Sequence, residues 1–286
     1  MNTSAWRRGC SVPLVAALAW LTFGCRANLP TDPATYPVGG ESAAPSKATT
    51  IGIYRPGDSE FFLRYKNAGG YADAVALFGK PGDIPVIGDW DGSGKSKIGI
   101  YRPEESTFYL RYTNRSGDAD IIVSFGVPGD VPVAGDWDGD GKTTVGVYRP
   151  ATSTFLLRNS NTQGAAEVTF VFGAEGDIPL AGDWDGDGKW TTGLYRPRES
   201  KFLLHNSNTG GAADVVVSIG KPGFKPIVGD WDGDGTFSVG VFDPESAQFY
   251  LRNRNDTAER DPAIGFGIPG DIPISGRWAR PWISNN

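Results

Sequence analysis

The chain writes one unit five times. A GDW motif or its variant begins at Gly88, Gly135, Gly182, Gly229 and Gly276, each 47 residues after the last. YRP or a variant follows the same period from Tyr54, Tyr101, Tyr148, Tyr195 and Phe242, and GDIP or a variant from Gly82, Gly129, Gly176, Gly223 and Gly270. No insertion breaks the period. A repeat of this length is one supersecondary unit that cannot bury its apolar face alone, so its neighbours must stack on it. Inside a unit, VPVAGDW, TTVGVYRP, STFLLRN and VTFVFG read as short strands, separated by the turn clusters DGDGK, RPATS, NSNTQG and AEGDIP. Nothing in the repeats has a helical period, and 40 Gly and 21 Pro in 286 residues suit many short elements joined by turns. Four strands per 47 residues fit a propeller blade. The expected fold is all-β: a five-bladed β-propeller of four-stranded repeats over 51–286. An open solenoid is the competing architecture, but its coils are shorter and its ends need caps that the sequence lacks.

The phase of the repeat predicts how the ring closes. The first unit opens at IGIYRP, past its GDW strand, and the last ends on IPISGRW, a GDW-type strand with no unit after it. Strand 272–278 is therefore expected beside strand 51–55, completing the first blade.

The first 24 residues read as an export signal: Arg7 and Arg8, then the apolar SVPLVAALAWLTFG, too short for a typical membrane span. LTFGC resembles a bacterial lipobox, which implies acylation of Cys25, although Thr22 and Phe23 depart from its usual pattern. Secretion with cleavage near Cys25 or Ala27 is the alternative. The only other cysteine, Cys10, lies within the signal, so no intramolecular disulfide survives processing. Residues 25–50, rich in Pro, Ser, Ala and Thr, read as a flexible tether. The expected location is the outer membrane as a lipoprotein or the cell surface, with the membrane reached only through a lipid; otherwise the chain is secreted. A formal net charge of −6 argues against nucleic acid as a partner.

Four acidic loops follow the GDW strands. They carry Asp89, Asp91 and Ser93; Asp136, Asp138 and Asp140; Asp183, Asp185 and Asp187; and Asp230, Asp232 and Asp234. D-x-D-x-D-G offers hard oxygens at positions 1, 3 and 5 and a Gly for the sharp turn, as calcium loops do. Position 7, which is Lys95, Lys142, Lys189 or Thr236, would add its carbonyl. The alternative is a network of Asx turns without metal. The unit GDWDGDGKTTVGVYRP resembles the FG-GAP and VCBS-type repeats of integrin α-chain propellers and of secreted bacterial proteins. The resemblance covers 51–282 and implies a β-propeller with calcium in these loops and a binding or adhesive role. One departure is that these families usually place a further Asp at position 9, where this chain has Lys97, Thr144, Thr191 and Ser238. Loop 1, with Ser93 and Lys97, is expected to bind Ca2+ weakly or not at all.

Two further expectations come from the repeats. Arg55, Arg102, Arg149 and Arg196 become Asp243 in the fifth unit, while Asp89, Asp136, Asp183 and Asp230 become Arg277. This double sign change suggests ion pairs between residues 34 apart, such as Arg102 with Asp136; coincidence is the alternative. The recurring Trp90, Trp137, Trp184, Trp231 and Trp278 and the repeated tyrosines fit packing between blades better than sugar platforms. Tyr71, Trp190 and Phe224, which do not recur, are better candidates for exposed contacts. No enzyme is expected: His205 is the sole histidine, read as a surface substitution, and Ser and Thr have no His partner. The function expected is non-catalytic binding or adhesion toward an extracellular glycan or protein. A structural scaffold stabilised by calcium is the alternative, and a glycosidase with unrepeated carboxylates at the axis is a third reading.

Overall fold

The computed structural model describes residues 47–256 and 262–279. The signal, Cys25 and most of the tether lie outside the described residues. The described chain forms five four-stranded antiparallel sheets. Blade 2 runs from the axis outward through Ile84–Gly88, Lys97–Arg102, Thr107–Leu110 and Ile121–Ser124. Blades 3 and 4 repeat this, starting at Val131–Gly135 and Ile178–Gly182; blade 5 starts at Lys225–Gly229 and ends on the short Ile264–Gly265. Blade 1 is composite. Its inner strand is the C-terminal Ile272–Gly276, which pairs with Thr50–Arg55 in the register Gly52 to Ile274. The five inner strands touch one another in ring order, and blade 5 meets blade 1 there. The expected propeller and its closing strand are therefore both present. Among the described residues no helix is long and apolar enough to cross a membrane.

The second strand of each blade is buried on both faces, because it is sandwiched between neighbouring blades. Outer strands alternate exposed and buried residues, as a half-covered strand should. The inner strand is an edge facing the axis, and Pro85, Pro132, Pro179, Pro226 and Pro273 sit in it, where a missing N–H costs least. The apolar core divides into five clusters, one per seam. Val86, Trp90, Tyr101 and Phe108 of blade 2 pack on Val145 and Val147 of blade 3. Each blade holds one tilted aromatic pair at 4.7 Å, Tyr101 on Phe108 in blade 2 and Phe242 on Phe249 in blade 5.

The GDW motif has a steric basis. A Cβ on Gly88 would lie 2.5 Å from the Trp90 ring and 2.5 Å from Thr143 Cγ2 of the next blade. Only Gly lets the indole fold back into the seam. Backbone bonds then join the blades in a closed cycle. Thr143 N donates to Asp89 O at 2.9 Å, Trp190 N to Asp136 O at 2.8 Å, Phe237 N to Asp183 O at 2.6 Å, Thr49 N to Asp230 O at 2.6 Å and Ser96 N to Arg277 O at 2.9 Å. Thr49 and Thr50, the last residues assigned to the tether from sequence, are buried members of this ring.

Candidate functional site

The acidic loops join the first two strands of blades 2 to 5. In loop 2, Asp136 accepts the N–H groups of Gly139, Asp140 and Gly141 at 2.9, 3.1 and 2.8 Å. Asp138 accepts from Asp140 N, and Asp140 from Lys142 N. Loop 3 repeats each of these bonds through Asp183, Asp185 and Asp187. In loop 4, Asp230 holds Gly233 and Gly235, and Asp234 holds Thr236 N. The Asx network is therefore present. It does not use up the carboxylates, since each offers about four lone-pair sites. In loops 2, 3 and 4 the three carboxylates bring oxygens within 4.8 Å of one another, the first Asp buried and the other two exposed. Burial pushes the carboxyls of Asp136, Asp183 and Asp230 above their ordinary range against the pull of the loop N–H groups. An all-oxygen cluster of this kind suits a hard divalent cation.

Loop 1 is filled by the protein's own charge. The Lys97 ammonium donates to Asp89 Oδ1 at 3.0 Å and also to Asp91 Oδ1 and Ser93 Oγ. Burial acts to raise the Asp91 carboxyl, but the hydrogen bonds from Lys97 and its neighbours outweigh it and hold the group well below its ordinary value. At the same position Thr144 turns away from its loop and bonds the carbonyls of Arg158 and Gly135, at 2.7 and 3.2 Å. Ser238 does the same with Arg252 and Gly229. The missing ninth Asp is thus a hydroxyl that ties strand ends together, and in loop 1 a lysine that turns inward.

The expected 34-residue ion pairs do not form. Each Arg instead pairs bidentately, within its own blade, with the Asp of the GDIP turn. Arg102 meets Asp83 at 2.9 and 3.0 Å, Arg149 meets Asp130 at 2.9 and 2.9 Å, and Arg196 meets Asp177 at 2.9 and 2.9 Å. Arg55 meets Asp271 of the closing strand at 3.0 and 3.0 Å. These Asp side chains are 1% exposed and also accept a backbone N–H of their own turn. The fifth blade changes both partners together: Asp243 stands for Arg, and Phe224 for Asp. Phe224 stacks on Tyr250 at 5.9 Å, on the ring position that Arg102 covers in blade 2 through Tyr109. Asp243 instead caps its own turn through Glu245 N and Ser246 Oγ.

The five repeated tryptophans are buried at 3 to 6% exposure, so they are packing residues rather than platforms. Of the unrepeated aromatics, Tyr71 is exposed, whereas Phe224 and Trp190 are half-buried, Trp190 against Phe237 at 4.6 Å. His205 is not on the surface. It is 7% exposed, with Nδ1 3.0 Å from Asp214 Oδ2 and its ring edge-on to Phe172. Sequence reasoning missed a row of asparagines. Asn67, Asn114, Asn161, Asn208 and Asn255 each accept the N–H of one second-strand residue and donate to the carbonyl two residues earlier. The triplets YKN, YTN, NSN, NSN and NRN that end in these asparagines recur at the same period and could have revealed them.

The inner strands surround an axial channel of about 490 Å3. The first Asp of each loop, Asp89, Asp136, Asp183 and Asp230, lines it, together with Arg277.

A scan against known protein families gives no match, and a search of curated proteins gives none either. Among solved structures, a crystal structure of BBS1N in complex with ARL6DN, soaked with mercury, is similar with a TM-score of 0.39 and 9% identity over 73% of this chain. The lead-soaked counterpart gives a TM-score of 0.38 and 12% identity over 65% of this chain. This chain spans 62% and 56% of those two chains.

Proposed function

We propose that the chain is a non-catalytic binding propeller of the FG-GAP or VCBS kind, exported and lipid-anchored, whose loops 2, 3 and 4 carry calcium. The observation that carries the metal reading is Lys97. In the loop that lacks an Asp at position 5, an ammonium sits among the side chains at positions 1, 3 and 5. The same three positions in the other loops gather three carboxylates and have no internal cation. Calcium there would neutralise a buried carboxylate and tie each loop to its blade, stiffening one rim of the ring. A binding role fits because the carboxylates that line the axis are the repeated ones. Among the described residues the channel wall shows no unrepeated carboxylate pair of the kind a glycosidase needs. The ligand is an extracellular glycan or protein.

Thermal unfolding with calcium and with EDTA tests the metal reading. Three sites, each at tenfold excess over its dissociation constant, would add about 4 kcal/mol, so the midpoint should fall on chelation. An unchanged midpoint removes the metal from the account. A glycan array tests the ligand: retention of particular glycans supports a lectin, and a flat response supports the protein-binding scaffold.

A further inference from the structure

The loop-side mouth of the axial channel breaks the fivefold symmetry of the repeat. Position 8 of each repeat stands there: Thr49, Ser96, Thr143, Trp190 and Phe237 all line the channel. Three are hydroxyl residues and two neighbouring ones are aromatic. The mouth is also where the repeat changes charge, because Arg277 of blade 1 takes the place of the Asp found in blades 2 to 5. Arg277 lines the channel with Lys95 of blade 2, and its Nε is buried without a hydrogen-bond partner. One arc of the mouth, in blades 4 and 5, is therefore apolar, with the Trp190 and Phe237 rings in tilted contact at 4.6 Å. The other, in blades 1 and 2, carries Arg277 and Lys95, and the Asp89 carboxylate there is paired with Lys97.

We infer that this mouth binds a small ring with an apolar face and a carboxylate on its edge, the ring packing on Trp190 and Phe237 and the carboxylate meeting Arg277. The channel volume suits a ligand of one or two rings. The backbone under the aromatic arc is held before any ligand arrives. The Trp190 backbone N–H donates to the Asp136 carbonyl at 2.8 Å and the Trp190 carbonyl accepts from Asn208 at 3.0 Å; the Phe237 backbone is clamped likewise by Asp183 and Asn255, and the two rings lie 4.6 Å apart. Little ordering remains to oppose binding. The nearby Asp136, Asp183 and Asp230 turn their carboxylates to the N–H groups of their own loops, and Asp89 is paired with Lys97. The sequence after Arg277 has no DGSG or DGDG run like those of the other four positions, and the Arg277 Nε meets no hydrogen-bond partner. A guanidinium matches a carboxylate through a planar fork, which makes Arg277 the specificity-determining residue.

Hexuronic acids and simple aromatic acids share this chemistry, and calorimetry on the whole protein distinguishes them. Galacturonate, phenylacetate and neutral galactose are titrated into the wild type, Arg277→Asp and Trp190→Thr, with folding of each variant checked by circular dichroism. Both substitutions place at one repeat a residue that other repeats already carry. At least one acid is expected to bind, with galactose at least tenfold weaker. Arg277→Asp should weaken the acid by tenfold or more and erase the preference over galactose. Trp190→Thr should weaken both sugars, or phenylacetate, while keeping the preference for the acid. The acid that binds more tightly identifies the source of the ligand. Binding of neither acid at 10 mM, or equal binding of acid and galactose, overturns the inference, as does an Arg277→Asp variant that folds and binds unchanged. None of these readings depends on calcium in the loops, so failure here leaves the metal reading intact.

Discussion

At position 9 of the acidic loop one side chain decides what the loop holds. Lys97 places an ammonium among Asp89, Asp91 and Ser93, whereas Thr144 spends its hydroxyl on two carbonyls. Lys97→Thr should therefore leave Asp89 and Asp91 without a counter-charge. We expect the variant to lose about 1–3 kcal/mol in EDTA, the scale of a charged hydrogen bond, and to recover part of it on adding calcium, read as a larger calcium shift of the melting midpoint than in wild type. The Arg–Asp pairs make a second case. Arg102→Ala strands Asp83, whose side chain is 1% exposed, and should cost about 3 kcal/mol. The double variant Asp83→Phe with Arg102→Asp copies what blade 5 does with Phe224 and Asp243. It should recover most of that loss, because the aromatic ring can lie on Tyr109 as Phe224 lies on Tyr250. Urea unfolding of the three proteins checks this; a double variant no more stable than Arg102→Ala would mean that the blade 5 solution does not transfer. These pairs were only half legible in the sequence. The sign change at 243 was visible, but its true counterpart at 224 is Asp to Phe, a loss of charge rather than a reversal. The reversal at Arg277 drew the pairing to the wrong Asp.

At the scale of strands and loops the sequence was far more informative, because turn residues recur at a fixed period and leave little freedom in where strands begin. Every blade has its strands where the punctuation put them, with blade 5 keeping only Ile264–Gly265 of its outer strand. Spacing could not show where side chains point. GDW looked like a possible platform motif, yet the Gly exists so that the Trp can turn inward. Gly88→Ala would bring a methyl to 2.5 Å from both Trp90 and Thr143. It should destabilise the protein by about 2 kcal/mol through overpacking, measured as a lower urea midpoint with an unchanged slope. His205 shows the same limit. Standing where other blades carry Arg, it reads as a surface change, but those arginines are themselves folded under their loops, as Arg158 is at 5% exposure. The loops remained ambiguous in the sequence because Asx turns and calcium sites ask for the same residues at the same spacing. In the structure the Asx turns are formed, and the same carboxylates bring oxygens within 4.8 Å of one another, close enough to hold a metal ion.

Across the whole molecule, a single noncovalent strand holds the ring shut. Residues 272–276 supply the inner strand of blade 1, Asp271 supplies the partner of Arg55, and Ile274 and Trp278 fill the seam with blade 2. Lys225 of blade 5 reaches the Asp271 carbonyl at 3.0 Å and ties the last full blade to this strand. The cycle of backbone bonds also closes here, through Ser96 N on Arg277 O. Because each blade buries its faces only against neighbours, opening one seam exposes two apolar surfaces at once and removes a shared term from both. A chain ending at residue 267 should therefore lose far more than the contacts of one strand. We expect it to lack a cooperative thermal transition and to bind a dye for exposed apolar surface. A peptide spanning 268–286, added in trans, should restore the transition with a midpoint that rises with peptide concentration, as mass action requires. Moving the same segment to the front of the chain and joining Trp278 to Thr49 through the DGDGK loop of blade 3 makes the stronger test. That permuted protein should fold, since the loop spans the same gap between first and second strands in blade 3, and its break would move from inside blade 1 to the seam between blades 5 and 1. If it failed while the peptide rescue succeeded, the position of the break, and not only the strand, would be part of what the fold requires.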